Sequence, residues 1–376
     1  MKIPFNKPYF TGKETKYIQK AVEKGHISGN GYYTKLCQDF FNKQYDFHNC
    51  LLTTSCTDAL EMSAILLNLK PEDEVIIPSY TFVSTALAFD REGAKIVFAD
   101  SNDDNPNIDI DKIEQLITPN TKAIVVVHYA GVSVDMDKLL SIVKKHKLFL
   151  IEDAAQAIDS TFNGKPLGSF GDLSTFSFHE TKNIISGEGG LLVINNDDFV
   201  ARAEMLWEKG TNRAAFFRGE IDKYGWVDTG SSFLPSDIIA AFLFAQLENL
   251  TDIQLKRKQL WNTYYDALLE LENNNFIKLP NLPSSSSNNA HMFYLVCNSG
   301  SERGALIKDL KSKDILSVFH YQSLHASTYY KDKYKGAELI NSDKYSERLL
   351  RLPMYYELSD VQQELIISSI KDFFVK

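Results

Sequence analysis

Lys182 sits in the stretch Ser174–Gly190, STFSFHETKNIISGEGG, between two apolar runs. A lysine in a small, polar loop beside a buried core can lose the hydration of its amine, which favours the neutral, nucleophilic form. Neutral lysine forms Schiff bases with carbonyl compounds. A plain solvated loop lysine fits the same letters. Asp153 lies 29 positions earlier, in Glu152-Asp153-Ala154-Ala155-Gln156. A carboxylate at the end of an apolar run, followed by two alanines, has room beside it for something bulky; a cap or a salt bridge fits equally. Further upstream, Thr53-Thr54-Ser55-Cys56-Thr57-Asp58 puts small and hydroxylated residues at a helix start. Free N–H groups and the helix dipole there suit a phosphate, although Thr57 or Asp58 as a simple cap is the alternative. Phe82, in Pro78–Phe82, suits stacking on a planar ligand or a place in the core. Gly187-Glu188-Gly189-Gly190 lacks the GxGxxG spacing and is no dinucleotide fingerprint.

These residues need a scaffold, and the sequence supplies one. From about residue 50 to 195, short β-branched runs alternate with helix-like segments. Candidate strands are Asn49–Thr53, Glu74–Pro78, Lys95–Ala99, Lys122–His128, Leu148–Glu152, Leu173–Phe178 and Gly190–Asn195. Several are almost wholly apolar, as in Ala123–Val127, which marks strands buried on both faces of a largely parallel sheet. Asp58–Asn68 and Asp137–His146 have helical spacing. The expected class is α/β with right-handed crossovers, and in such sheets ligands bind beyond the carboxyl ends of the strands. After Asp237 the pattern changes. Ile238–Asn273 reads as long helix in two pieces near Thr251, Pro280–Asn289 as a loop, Met292–Cys297 and Ser317–Tyr321 as strands, Gly304–Lys313 and Gln362–Phe374 as helices. The expected division is a large α/β domain over 1–250 and a smaller α+β domain over 251–376.

Composition narrows the function. With 376 residues, 44% hydrophobic and 24% charged, the chain has ample material for a core. It carries 40 basic and 49 acidic residues, a net charge of −9, without the basic excess of a nucleic-acid binder. Apolar runs such as Ile238–Ala245 fall far short of the ~20 residues of a membrane span. The start, MKIPFNKPYF, does not read as a signal peptide. The four cysteines, Cys37, Cys50, Cys56 and Cys297, form no CxxC pair, and the eight histidines no HExxH. A cytoplasmic protein with reduced thiols and no metal site is expected.

No single feature decides the chemistry; their order does. A phosphate-type helix start, an aromatic, an acid able to pair with a pyridinium nitrogen and then a lysine match the needs of a pyridoxal phosphate site. Asp153 beside the ring would keep its nitrogen protonated.

On these residues the chain resembles the DegT/DnrJ/EryC1/StrS group of fold-type I aminotransferases, which act on nucleotide sugars. The likeness runs from Ile3-Pro4-Phe5 to His320-Tyr321-Gln322-Ser323-Leu324-His325 and rests on Glu72–Val75, Pro78–Phe82, Glu152–Gln156 and Ser177–Lys182. SFHETKN, EKGTNR, FFRG and NAHMFY are especially similar to bacterial dTDP-4-dehydro-6-deoxyglucose 4-aminotransferases of surface-polysaccharide (O-antigen, lipopolysaccharide) synthesis. The resemblance implies that Lys182 bonds pyridoxal 5′-phosphate and moves the proton, that Asp153 holds the ring nitrogen, that Gln156 lies near the ring hydroxyl and that Phe82 stacks on the ring. It further implies that Cys56, Thr57 and Ser177 hold the phosphate, Cys56 through its backbone N–H because many relatives have glycine there. Relatives often carry an asparagine and a basic residue where Ser232 and Leu234 stand; Ser232 is expected to reach the phosphate of a neighbouring subunit in a homodimer with shared sites. Arg213, Arg218, His320, Tyr321 and His325 are expected around the sugar nucleotide. The implied reaction moves an amino group from L-glutamate to a dTDP-keto-sugar. A 3-aminotransferase and a non-catalytic PLP-binding regulator are the alternatives; a sugar dehydratase of the same fold is disfavoured, because those carry histidine where Lys182 stands.

Overall fold

A computed structural model describes residues 2–375. The central sheet is built from β1 (Cys50–Thr53), β2 (Glu74–Pro78), β3 (Lys95–Ala99), β4 (Thr121–Val127), β5 (Phe149–Asp153), β6 (Leu173–Ser177) and β7 (Gly190–Ile194). Its order is β1-β7-β6-β5-β4-β2-β3. The β3-β2-β4-β5-β6 pairs are parallel, and β7 runs antiparallel to both β6 and β1. Alternate residues enter opposite layers, as the two-residue period of a strand requires. Ile124, Val126, Leu191 and Val193 pack beneath the helices Tyr32–Tyr45 and Asp237–Leu247. Ala123, Val125, Leu192 and Ile194 pack beneath Cys56–Leu66, Val83–Arg91 and Val200–Trp207. Two covered faces account for the unbroken apolar runs.

All but one of the expected strands form, most within a residue of the ranges read from the sequence, and the long C-terminal helix breaks as expected, into Asp237–Leu247 and Leu250–Asn273. A third apolar cluster joins Leu260, Tyr264, Leu306, Leu310, Ile366 and Ile370 around an antiparallel sheet of β8 (Ile277–Lys278), β9 (Tyr294–Cys297) and β10 (Leu349–Arg351). Ile3 belongs to this cluster and bridges to Ile315. The exception among the expected strands is Ser317–Tyr321, which does not form. Val318 makes one bridge, to Arg351, and the next carbonyl in line, that of Phe319, is occupied by the Arg351 guanidinium at 3.1 and 3.3 Å.

Glu152 shows how the centre is held. It is fully buried on β5. Its Oε2 accepts from His128 Nε2 and Gly168 N, both at 2.9 Å; its Oε1 accepts from Phe170 N at 2.8 Å, Gly171 N at 2.7 Å and Ser174 Oγ at 3.1 Å. Burial alone pushes the carboxyl up, but these donors, His128 foremost, overcome it and hold its pKa below the usual value. A lowered folded-state pKa stabilises the fold above the ordinary carboxylate range, and that stabilisation is lost as pH falls through the folded value. Glu152→Gln turns an amide N–H₂ towards donors and is expected to cost about 3 kcal/mol or more. Urea unfolding at pH 7 measures this; a loss below about half a kcal/mol, the size of an ordinary surface substitution, would show that the network is not structural support.

Candidate active site

The loop between β6 and β7 doubles back on itself. Phe178 N bonds Gly189 O, Ser186 N bonds Phe178 O and Glu180 N bonds Gly187 O, at 2.7–2.9 Å. Gly187 takes a left-handed φ of +82° there, where a side chain is strained. Lys182 sits in this loop, half-buried. Its neighbour Asn183 is buried and pinned on three sides: Nδ2 donates to Gln254 Oε1 and to Asn289 O, each at 2.8 Å, and Oδ1 meets His291 Nδ1 at 2.8 Å. The loop's position is therefore set by residues far downstream in the chain.

Lys182 lines a cavity of about 690 Å³ with Asp153, Gln156, Phe82, Ser177, Cys56 and Thr57. Such a volume suits a small-molecule site. Burial pushes the Lys182 ammonium below its ordinary pKa, and the Asp153 carboxylate opposes that only in part. The same burial pushes Asp153 up, against the Thr85 hydroxyl and Ala155 N–H that favour its charge. Thr85 Oγ1 donates to Asp153 Oδ2 at 2.7 Å and meets Thr81 Oγ1 at 3.0 Å; Ala155 N donates to Oδ1 at 3.2 Å. Asp153 is the last residue of β5 and is buried, so an amine and a carboxyl, each poorly hydrated, face one cavity.

Two helix starts also line the cavity. Ser55, rather than Thr57 or Asp58, caps Cys56–Leu66 by accepting from Asp58 N at 3.1 Å. Thr57 Oγ1 meets Ser84 Oγ, in the first turn of Val83–Arg91, at 2.8 Å. A Cβ on Gly190 would lie 2.5 Å from the Ser55 carbonyl and 2.6 Å from Cys56 N; glycine lets β7 pass directly beneath this helix start. Burial raises the Cys56 thiol, so it stays protonated and offers its backbone N–H, not a thiolate. Phe82 is not core: it is 55% exposed at the cavity edge, 6.1 Å from the Tyr321 ring. Gln156 Nε2 donates to Tyr321 Oη at 2.9 Å, and its Oε1 accepts from Ala130 N at 2.6 Å. Tyr321 stacks on His320 at 3.5 Å, and His320 Nδ1 pairs with Tyr129 Oη at 2.7 Å.

Four expected site residues lie outside this cavity within the chain. Arg213 pairs with Glu208 and covers Phe217; Arg218 pairs with Glu204 and Glu220. Ser232 is exposed and bridges to Glu208. His325 is buried with Nδ1 on Ser79 Oγ at 2.7 Å and Nε2 3.6 Å from Asp343. Conversely, sequence reasoning did not find Thr85, Asn183, His291 or Arg351. The last two line the cavity, and the first two fix its acid and its lysine loop.

An amine and an acid that share a cavity with two helix starts are what the comparisons bear on. The DegT/DnrJ/EryC1/StrS aminotransferase family model matches residues 8–371. The chain belongs to this family. Spore coat polysaccharide biosynthesis protein SpsC of Bacillus subtilis (strain 168) is 31% identical over 98% of this chain and 96% of its own. The chain described as sugar aminotransferase Spr1654 of Streptococcus pneumoniae, in its PLP form, superposes with a TM-score of 0.90 at 26% identity, covering 100% of this chain and 99% of that one. DesV of S. venezuelae, solved in complex with a ketimine intermediate, gives 0.89 at 25% identity over 100% and 99%. The chain is a PLP-dependent sugar aminotransferase with the family's α/β fold. Its own residues fit the cofactor: a lysine whose burial favours the free amine, a buried acid for the ring nitrogen, and N–H groups with hydroxyls for the phosphate.

Proposed function

We propose that this enzyme transfers the amino group of L-glutamate to C4 of dTDP-4-dehydro-6-deoxy-D-glucose, giving a dTDP-4-amino-4,6-dideoxyhexose for a surface polysaccharide such as O-antigen. The observation that carries amino transfer is the Lys182 amine, held towards its neutral form in the same cavity as buried Asp153. When bound, the cofactor supplies an electron sink for the carbon that loses or gains nitrogen. Lys182 takes the proton from that carbon and returns it. Asp153 keeps a proton on the ring nitrogen, and Thr85 and Ala155 N–H aim its two oxygens. Cys56 N–H, Thr57 and Ser177 would hold the phosphate, Phe82 would stack on the ring, and Gln156 with Tyr321 would lie near the ring hydroxyl.

The choice of C4 rests on the wording of Lys209–Arg213, Phe216–Gly219 and His320–His325, of which only His320 and Tyr321 reach this chain's own cavity. The strip carrying the others also exposes Phe217, Tyr224 and Trp226, which is 85% exposed. A second copy of the chain would cover these rings, and Ser232, Arg213 and Arg218 would then serve the neighbour's site, the arginine forks taking the pyrophosphate. SpsC's part in a spore coat polysaccharide supports a glycan product. No helix among the described residues is long and apolar enough to cross a membrane, in keeping with a cytoplasmic setting.

Incubation with glutamate and each keto-sugar nucleotide, with the amine located by NMR, tests this. The expected product is the 4-amino sugar, with a 3-keto isomer turned over poorly. Preferred amination at C3 overturns the regiochemistry; tight cofactor binding without turnover of any keto-sugar would mark a regulator.

A further inference from the structure

We infer that a second cavity, apart from the active site, binds a sugar phosphate. This cavity, of about 450 Å³, is lined by the loop after β3, by β8 and β9 of the small sheet and by the helix Ile340–Arg348. It shares no lining residue with the active cavity. Two cations in its lining are uncommitted. Arg348 is half-buried and makes no hydrogen bond or ion pair among the described residues, and its Nε is closed off from water without an acceptor. Lys278, exposed at the end of β8, makes none either. The other charges are matched within the chain: Lys344 pairs with Asp103, and both oxygens of Asp104 accept amide N–H groups, from Asn281 and Asn105. A buried guanidinium N–H without an acceptor is costly, and an incoming anion relieves that cost. A phosphate monoester carries about two negative charges at neutral pH, which answers both free cations, and its oxygens match the arginine fork.

The rest of the lining suits hydroxyls. Glu272 uses one oxygen, which accepts from Leu279 N at 2.7 Å, and leaves Oε2 open. Asn281 donates to Asp104 at 2.8 Å, and Asn298 donates to the carbonyls of Asn275 and Phe276 at 3.0 and 3.1 Å, so both keep Oδ1 as an acceptor. The Tyr294 hydroxyl has no hydrogen-bond partner among the described residues. A sugar's hydroxyls donate to such acceptors and accept from the phenol; a bare anion would leave the acceptors unanswered. Tyrosines separate this cavity from the active site. Tyr294 lies 5.7 Å from Tyr129 and Tyr345 lies 5.8 Å from Tyr80, while Tyr80 lies 5.7 Å from Tyr321 of the active cavity.

Calorimetry on the holoenzyme with glucose 1-phosphate as the probe tests this. Saturable binding with a Kd below about 1 mM is expected, unchanged by excess dTDP, with glucose and inorganic phosphate each at least about tenfold weaker. Arg348→Gln should weaken glucose 1-phosphate about 10- to 100-fold, the loss of a charge-assisted hydrogen bond. It should leave the cofactor's visible absorbance and the Tm in place, because it removes a group with no partner in the fold. Lys278→Glu, at an exposed position that the fold tolerates, should weaken the probe at least about fivefold. Glucose 1-phosphate binding that both substitutions leave unchanged overturns the inference. Binding lost on adding dTDP overturns it in favour of the active cavity, and inorganic phosphate binding as tightly as glucose 1-phosphate overturns it in favour of a plain anion site. No saturable binding up to about 10 mM sinks it outright.

Discussion

Lys182→Ala is expected to lower turnover by at least about 10³-fold while the chain still folds and binds the cofactor. The general acid–base contribution alone is about 10²–10⁴-fold, and loss of the nucleophilic amine adds to it. The fold should tolerate the change because Lys182 is half-buried in a polar loop whose anchors are Asn183, Ile184 and Ile185, all buried. Lys182→Arg should be equally inactive, since a guanidinium stays charged and cannot act as the neutral base. Borohydride reduction of the natural holoenzyme, followed by digestion and mass spectrometry, should place the cofactor's mass on the peptide containing Lys182. A label on another lysine, or Lys182→Ala retaining turnover within about tenfold, would remove Lys182 from the reaction.

The central sheet was readable because its inner strands are buried on both faces, which leaves apolar runs such as Ala123–Val127 in the sequence. The helix Tyr32–Tyr45 was missed, although Tyr33, Cys37, Phe41 and Tyr45 recur every four residues and are all buried. Polar neighbours in YYTKLCQDFFNKQY obscure that stripe. Ser317–Tyr321 misled for the opposite reason. Its letters, SVFHY, are β-branched and aromatic like those of a strand, but Phe319 is 51% exposed and its carbonyl is taken by a side chain. Within the site, Lys182, Asp153 and the Ser55–Thr57 start were legible because each stands at a strand end or shortly after one. Thr85, Asn183, His291 and Arg351 were not, because their meaning depends on contacts between distant segments. Asn183 is an ordinary loop asparagine until Gln254, Asn289 and His291 are folded against it.

Asp153→Asn should also separate chemistry from folding. An amide cannot keep a proton on the ring nitrogen, and the loss of a preorganised electrostatic partner costs about 10²–10³-fold in kcat. Stability should hardly fall. Burial raises the Asp153 pKa, so its charge is a cost to the fold at neutral pH, and asparagine removes that cost. The hydrogen bonds can also adapt. The amide oxygen that Asp153→Asn introduces can still accept from Ala155 N–H, and Thr85 and Thr81 can reverse their hydroxyls so that Thr85 accepts where it now donates. The expected pattern is therefore a Tm at or slightly above that of the natural chain without cofactor, a smaller gain in Tm on adding cofactor, and a deep loss of kcat. Thermal melts with and without cofactor, alongside kcat at saturating donor, read all three. Near-normal kcat with cofactor bound would take the ring nitrogen away from Asp153. A collapse of Tm in the cofactor-free chain would instead make its role structural, like that of Glu152 one residue before it.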